Sequence, residues 1–404
     1  MNVELHIIIV WHNALEKVCE IEKTISKKLI ILKKIEYLWD EKNASKNFAA
    51  FYGEKLENIQ YKVEHCGSGY FILFIVRDDA PKYEARNTTS GERIVNTNLF
   101  DLKSTLRKIT GGGHIIHASD TQQEANTNSI SLFGKCINEY VNKENSNVQA
   151  VPIETIRRNI SGVCGWVSWE ELFDILGKGT KYVVLRNYET LLSKKKSEHG
   201  DTDILVLDRQ IANTLIGGSK EYLGKDRVLI STIVDGNTEL IDIRYCDDGY
   251  YCSEWEHHII ENRRLAENSY FYIPNDEDKM YSLLYHALVH KPFISNGYLN
   301  DMMLMFSETS ENKLRTILHN YMNKKGYYYT MPIDKSVYIN PVYFKYIKVP
   351  FGRRIYCTLK KVKYWRKYDE KKENKYSKKI HSLLNRGYYL ALNTLRKIKS
   401  RIKR

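Results

Sequence analysis

Prolines are few, seven in 404 residues, and no segment repeats another. With 43% hydrophobic and 27% charged residues, the composition is that of a globular chain. A chain of this length can bury a sizeable core and form two or three ordinary domains. Paired cysteines are also missing. The seven cysteines, at 19, 66, 136, 164, 246, 252 and 357, are odd in number, irregularly spaced and without a Cys-x-x-Cys. That argues against a disulfide framework or a zinc site and for reduced thiols. No run approaches the roughly 20 apolar residues of a membrane span. The start, Met1-Asn2-Val3-Glu4 and then the short apolar run Ile7 to Trp11, lacks the length and basic beginning of a signal peptide. The expected location is the cytoplasm.

What is abundant is positive charge, +13 overall. A basic surface attracts nucleotides, nucleic acid, polyphosphates or anionic membranes. Much of the excess lies beyond Phe351, so the rest of the chain is less basic than the total. The 30 tyrosines, like the many lysines and asparagines, carry no functional weight, because base composition of the coding sequence can produce them.

The pattern of elements is mixed. His6 to Trp11, Lys28 to Leu38 and Tyr70 to Val76 read as strands, Ala14 to Ser26 and Asn47 to Leu56 as helices. This alternation runs to about Val141 and predicts a compact α/β or α+β unit. Lys143 to Pro152 is polar and reads as a linker. A second alternation follows: a helix from Ser168, capped by that serine with Glu171 three residues on, strands at Tyr182 to Leu185 and Asp203 to Leu207, and a helix at Arg209 to Ile216. Val228 to Val234 and Glu239 to Tyr245 read as a hairpin around Asp235-Gly236-Asn237. From Glu254 to Met322 the pattern is helical. Tyr327 to Met331 and Phe344 to Val349 suggest short strands, and the final segment is basic and mostly helical.

The middle third carries the clearest chemistry. In His199-Gly200-Asp201-Thr202-Asp203-Ile204-Leu205-Val206, residues two apart on a strand share a face, so Asp201 and Asp203 project together. Two close carboxylates repel unless a cation neutralises them, and carboxylate oxygens favour Mg²⁺ or Mn²⁺. Asp242, alone in Leu240-Ile241-Asp242-Ile243-Arg244, supplies a third acid from a later strand. Three such acids can hold two metals, one activating an attacking hydroxyl and one stabilising the leaving phosphate. This layout resembles the nucleotidyltransferase superfamily of polymerase-β-like fold over about Ser168 to Glu256. Asp201, Asp203 and Asp242 match its three acids, which the resemblance makes catalytic and metal-binding. The family's Gly-Ser turn is absent. Leu185-Arg186-Asn187 stands in its place, so Arg186 and Asn187, with Lys194-Lys195-Lys196, are the candidates for phosphate contacts.

The first third has its own motif. Thr110 to Glu124 reads TGGGHIIHASDTQQE and resembles the active-site stretch of nucleoside diphosphate kinases. His117 falls on that family's phosphorylated histidine and Ser119-Asp120 on the following pair. Tyr52 falls on the family's tyrosine, His65 to Gly69 on its turn before a strand, and Arg93, Thr97 and Arg107 on its phosphate-contacting positions. His114 stands where the family has asparagine. The resemblance spans about Val3 to Glu139 and implies a ferredoxin-like α+β fold. Phosphoryl transfer would require a neutral imidazole aimed at a γ-phosphate with cations around it. The family's lysine after the first strand is missing: Val10-Trp11-His12-Asn13 has none. Its histidine-orienting glutamate falls near Asn128, while Glu124 is out of place.

Further on, His286 and His290 are four apart on a helix, a spacing that can bind metal but more often packs. Leu265 to Ser307 suggests a helical lid. In residues 360–404 apolar residues recur at roughly helical spacing among lysines and arginines. Such a helix lies on an anionic membrane or stands solvated. No recognised nucleic-acid module is present.

The expected architecture is therefore multidomain α/β and α+β: a nucleoside-diphosphate-kinase-like domain at 1–142, a nucleotidyltransferase-like domain at 153–262, a mainly helical subdomain at 263–350 and a basic tail at 351–404. The expected function is Mg²⁺-dependent transfer of a nucleotidyl or phospho-sugar group from a nucleotide or nucleotide-linked sugar or alditol, in surface polysaccharide biosynthesis at the inner face of a membrane. The alternatives are a nucleoside diphosphate kinase acting through His117, and a non-catalytic nucleotide-binding protein. Either form is compatible with a homo-oligomer.

Overall fold

The computed structural model describes residues 3–52, 58–88, 91–141, 153–186, 188, 191, 201–217, 219–220, 228–267 and 269–369. The expected linker at 143–152, Asn187, Lys194 to Lys196 and the tail beyond 369 lie outside them. The chain divides into two compact units. The first takes residues up to 220, then 228–246 and 260–274; the second takes 247–259 and 275–369. The molecule is mixed α/β, and among the described residues no helix is long and apolar enough to cross a membrane.

The first unit contains two five-stranded sheets. One is built from β1 (Glu4–Val10), β2 (Ile30–Leu38), β3 (Phe71–Asp78), β6 (Ile116–Ala118) and β7 (Ile153–Arg157), in the order β6-β1-β3-β2-β7. Here β4 (Tyr83–Thr88) and β5 (Gly91–Asn96) form a separate hairpin. β1 and β3 are apolar almost end to end because each is flanked on both edges and covered on both faces. β1 pairs antiparallel with β3 and β6, which sets Ile9 opposite His117. β7 pairs parallel with β2. Residues 153–157, given by sequence to the middle domain, thus complete the first sheet. The helices of this part are α1 (Val18–Ser26), α2 (Ala44–Tyr52), α3 (Ile59–Cys66), α4 (Thr97–Ile109), α5 (Gln122–Phe133) and α6 (Ile137–Val141).

The second sheet uses β8 (Tyr182–Arg186), β9 (Thr202–Val206), β10 (Ser219–Lys220), β11 (Val228–Val234) and β12 (Asn237–Tyr245), in the order β10-β11-β12-β9-β8. Its apolar face, with Val184, Ile204, Val206, Ile241 and Ile243, packs with Leu172 and Leu176 of α7 (Trp169–Gly179) and Leu215 of α8 (Arg209–Ile216). Ser168 caps α7 by accepting from the Glu171 amide, and Glu171 in turn accepts from Val167 at 2.9 Å. β11 and β12 meet through a turn at Asp235 and Gly236, both in the left-handed region. α5 is buried over most of its length, and its Ile130 belongs to the core of the second sheet while Ala125 and Leu132 belong to that of the first. A helix enclosed on several sides needs no polar stripe. A two-stranded pair, β13 (Arg264–Leu265) and β14 (Tyr272–Ile273), completes the described strands.

The second unit is helical, with α9 (Ser253–Glu261, its last two residues in the first unit), α10 (Asp276–Val289), α11 (Asn296–Phe306), α12 (Glu311–Lys325) and α13 (Phe351–Asp369). The strands expected at Tyr327 to Met331 and Phe344 to Val349 do not form. The first is unpaired and sends Tyr327 onto Trp255 and Tyr329 onto Tyr285. The second begins inside a 3-10 turn at Pro341–Lys345, capped by Asn340. Here aromatic packing decides what β propensity suggested otherwise.

Candidate functional site

Two acids of the middle segment, Asp203 and Asp242, come together through strand register. β9 and β12 run parallel with Asp203 directly beside Asp242. Register neighbours share a face, about 4.8 Å apart between strands. Asp201 precedes the strand by one residue and lies two from Asp203 in the chain. Asp203 and Asp242 are buried and Asp201 half-buried.

Each buried acid carries a guanidinium. Arg186 Nη2 lies 2.7 Å from Asp203 Oδ1, and Arg244 Nη2 lies 3.1 Å from Asp242 Oδ2. Arg244 follows Asp242 by two residues and so shares its face, a signal the period-2 rule could have supplied. Arg186 arrives differently. β8 opposes β9 with Val184 against Ile204 and Arg186 against Asp203, so Leu185 is the extra residue of a bulge. Without it, Leu185 would oppose Asp203 and Arg186 would point to the other face. The result is a buried quartet of two acids and two arginines. Among the described residues, no group of three or more His, Cys, Asp or Glu side chains is arranged to hold a metal. The repulsion that the sequence suggested a cation must relieve is met here by Arg186 and Arg244.

The His117 motif forms a second constellation. His117 on β6 is buried, edge-on to Phe51 at 5.1 Å and to Tyr52 at 5.9 Å between ring centres. Trp11 Nε1 donates to the Tyr52 hydroxyl at 3.2 Å, and burial pushes that hydroxyl far above its ordinary pKa. Asn128 Nδ2 lies 2.8 Å from His117 Nε2. An amide nitrogen can only donate, so Nε2 accepts and the ring proton of the neutral imidazole sits on Nδ1. A glutamate at this position would do the reverse, accepting from Nε2 and stabilising the imidazolium. Ser119 Oγ accepts from the Ile7 amide at 3.2 Å, Asp120 is bonded to Lys103, and Glu124 accepts from the Asp120 amide at 2.8 Å. Those three polar residues fix the β6–α5 connection.

The remaining sequence candidates divide. Arg107, at the end of α4, donates from Nε and Nη2 to the Ile116 carbonyl at 3.3 and 3.2 Å, beside His117. His114 gives its amide to His65 Nε2 at 3.0 Å, and burial and the charges of Arg107, Lys62, His65 and Lys103 lower its pKa. Thr97 opens α4, bonded to the Lys82 carbonyl at 3.2 Å. Ten residues at 1.5 Å each put it about 15 Å along the helix from Arg107. Arg93 is exposed on the β4–β5 hairpin, opposite Arg86. Thr97 and Arg107 are thus not gathered around one phosphate. Lys62, unmarked by any motif, places its ammonium 3.1 Å from the His114 carbonyl and 4.4 Å from the centre of the Tyr52 ring. In the second unit, His286 Nδ1 meets the Tyr250 hydroxyl at 2.5 Å and its ring centre is 6.1 Å from that of His290, both histidines being buried.

No family model matches the chain, and no curated protein matches it. Among solved structures it matches an Aquifex aeolicus nucleoside diphosphate kinase at 18% identity and a TM-score of 0.22, over 34% of this chain and 100% of that one. At that score the likeness assigns neither fold nor activity.

Proposed function

We propose that the chain is a divalent-cation-dependent transferase that moves a nucleotidyl or phospho-sugar group at the face shared by β8, β9 and β12. The observation that carries this reading is the register of Asp203 beside Asp242 on parallel strands, with Asp201 two residues ahead. An all-oxygen set of that kind suits Mg²⁺ or Mn²⁺. Asp203 and Asp242 would hold the ion with Asp201 at the more open edge, and the ion would supply charge neutralisation and a more acidic acceptor hydroxyl.

The arginines set a condition on that chemistry. The four side chains Arg186, Asp203, Asp242 and Arg244 sum to zero charge. A divalent ion alone would add two positive charges to a buried site, which is unfavourable. A metal bound together with a phosphate chain restores the balance: the acids turn to the ion and the guanidiniums to phosphate oxygens, for which their fork is suited. The reading therefore requires metal and nucleotide to bind together. Mn²⁺ titration followed by its paramagnetic resonance tests it. Weak binding alone, at least about tenfold tighter binding with a nucleoside triphosphate, and loss of that gain in Asp203→Asn are expected. Metal and nucleotide affinities that ignore each other and the substitution remove the proposal.

We read the β6-β1-β3-β2 order with crossing helices α1 and α4 as a ferredoxin-like unit, and the second sheet as the polymerase-β-like unit. A nucleotide-linked sugar or alditol donor, a surface glycan acceptor and membrane contact through residues 360–404 belong to the same proposal. Screening nucleoside triphosphates and CDP-alditols for pyrophosphate or CMP release identifies the donor. Kinase activity at His117 is the weaker reading, because Asn128 holds the ring proton on Nδ1. Acid-labile label on His117 after incubation with γ-labelled Mg²⁺-ATP would reverse that order.

A further inference from the structure

Helix α13 of the second unit turns most of its cations toward the fold. Arg353 donates from Nη1 to the Pro332 carbonyl at 3.1 Å and from Nη2 to the carbonyls of Asp334 and Val337 at 3.0 Å. Lys361 Nζ donates to Asn340 Oδ1 at 3.0 Å, and Lys360 lies over the Tyr338 ring. Cys357 is fully buried, and the Tyr364 ring meets that of Phe293. At 3.6 residues per turn, residues 353, 357, 360, 361 and 364 make up one side of the helix. The opposite side carries Phe351, Ile355, Leu359 and Val362, spaced by four, four and three residues. That spacing draws one continuous apolar stripe. Phe351 is 80% exposed, and the other three are half-buried. A surface helix ordinarily buries its apolar stripe and shows its charge to water. Here the orientation is reversed.

The surroundings of the stripe select its partner. From Lys335 to Lys367 the sequence has ten lysines and arginines and no acid. Arg354 and Lys363 are exposed on the two flanks of the stripe, and the Tyr356 ring is exposed beside it. An apolar stripe edged by cations and an aromatic ring with a polar tip suits the surface of an anionic bilayer. The helix carries too many cations to cross a bilayer and is suited to lie along one. The chain's own last residues fit the stripe poorly. Residues 370–404 hold twelve cations and two acids, so docking them there would set like charges side by side. Nucleic acid matches the charge but stacks on rings and guanidiniums, and makes little use of Ile355, Leu359 and Val362.

We infer that α13 from Phe351 to Val362 lies in the surface of an anionic lipid bilayer, with Phe351, Ile355, Leu359 and Val362 against the acyl chains and Arg354 and Lys363 on lipid phosphates. The inference deepens the membrane contact proposed above, on which it rests for its partner, and moves that contact from the tail to a folded helix. It is independent of the Asp203–Asp242 proposal, since it needs neither metal nor nucleotide.

The test is co-sedimentation of the full chain with vesicles of phosphatidylcholine and phosphatidylglycerol. Binding is expected, and should be at least about tenfold weaker on phosphatidylcholine alone. Phe351→Ser combined with Ile355→Ser should weaken it at least about tenfold. Lys397→Gln, Lys399→Gln and Arg401→Gln together should hold it within about threefold. Binding that the serine variant keeps and the glutamine variant loses overturns the inference and leaves the tail contact standing; no binding by the unaltered chain removes both. If the serine variant loses poly(U) binding as much as vesicle binding, the stripe belongs to nucleic acid. If it dissociates a dimer seen in sedimentation without vesicles, the stripe belongs to a second copy. Either result overturns the inference. Should the serine variant not fold, Phe351→Trp decides: lipid brominated in its acyl chains must quench the fluorescence this residue adds, and unquenched emission overturns the inference.

Discussion

The two constellations of the first unit solve the problem of buried charge in opposite ways. On the β8–β9–β12 face, acids and arginines alternate, and each buried carboxylate has its guanidinium. Near the start of β6, Lys62 and Arg107 instead bond to the carbonyls of His114 and Ile116, and Lys62 lies over the Tyr52 ring. The first arrangement is electrically complete and must be opened before it can bind anything charged. In the second, the cations are bonded directly to backbone carbonyls. Charge balance, more than the presence of acids or bases, therefore separates the two arrangements.

The largest effect should come from unbalancing the complete site. Asp242→Asn leaves Arg244 buried beside a neutral amide, and such truncations cost about 3–5 kcal/mol. Urea unfolding measures it, and a loss under about 1 kcal/mol would break the contrast. The second unit offers an acid-rich counterpart. Glu256 is fully buried, accepts from the amides of Asp247 and Tyr251 at 2.7 and 2.9 Å, and its pKa is pushed up to about 9 by burial first and then by the charge of Asp248. The folded state thus keeps a proton that the unfolded chain releases above the ordinary glutamate value. This group's contribution is complete in acid and is lost as pH rises toward 9. Glu256→Gln should therefore stabilise the protein on the order of 2 kcal/mol at pH 8, and the gain should vanish near pH 4. A gain that does not change with pH would contradict this.

Asn128→Asp gives His117 a carboxylate neighbour and should raise its pKa by about one unit, visible in the ring-proton titration by NMR. An unmoved titration would mean that Asn128 does not govern the ring. The smallest expected change is the most informative. Lys62→Met removes a buried cation bonded to the His114 carbonyl and should alter stability at neutral pH by no more than about 1 kcal/mol, with either sign. Because burial lowers the Lys62 pKa, the unaltered protein should gain stability as pH rises toward the ordinary lysine value. The methionine variant should lack that rise. A loss as large as that of Asp242→Asn would show the two sites to be alike.

Much of the scaffold was legible because local chemistry dictates it. The apolar runs of β1 and β3 admit only buried strands. Ser168 caps its helix and the Asp235-Gly236 turn closes its hairpin. Strand propensity misled at Tyr327 to Met331, because those rings find aromatic partners that no local window contains. Of the residues singled out with the His117 motif, Arg107 lies beside it while Thr97 lies at the far end of α4 and Arg93 on the β4–β5 hairpin; Lys62 belongs to no motif.

The sequence by itself determined which residues carry charge, which runs must be buried, and which pairs one strand presents on one face, since these follow from composition and backbone geometry within a few residues. Tertiary structure alone decided which charges meet. Asp242 stands beside Asp203 because two distant strands run parallel in one register, and Arg186 reaches Asp203 because one extra residue turns its strand over. Lys62 and Arg107 reach the stretch from His114 to Ile116 from two different helices. Such encounters depend on long-range packing, and no local pattern encodes them.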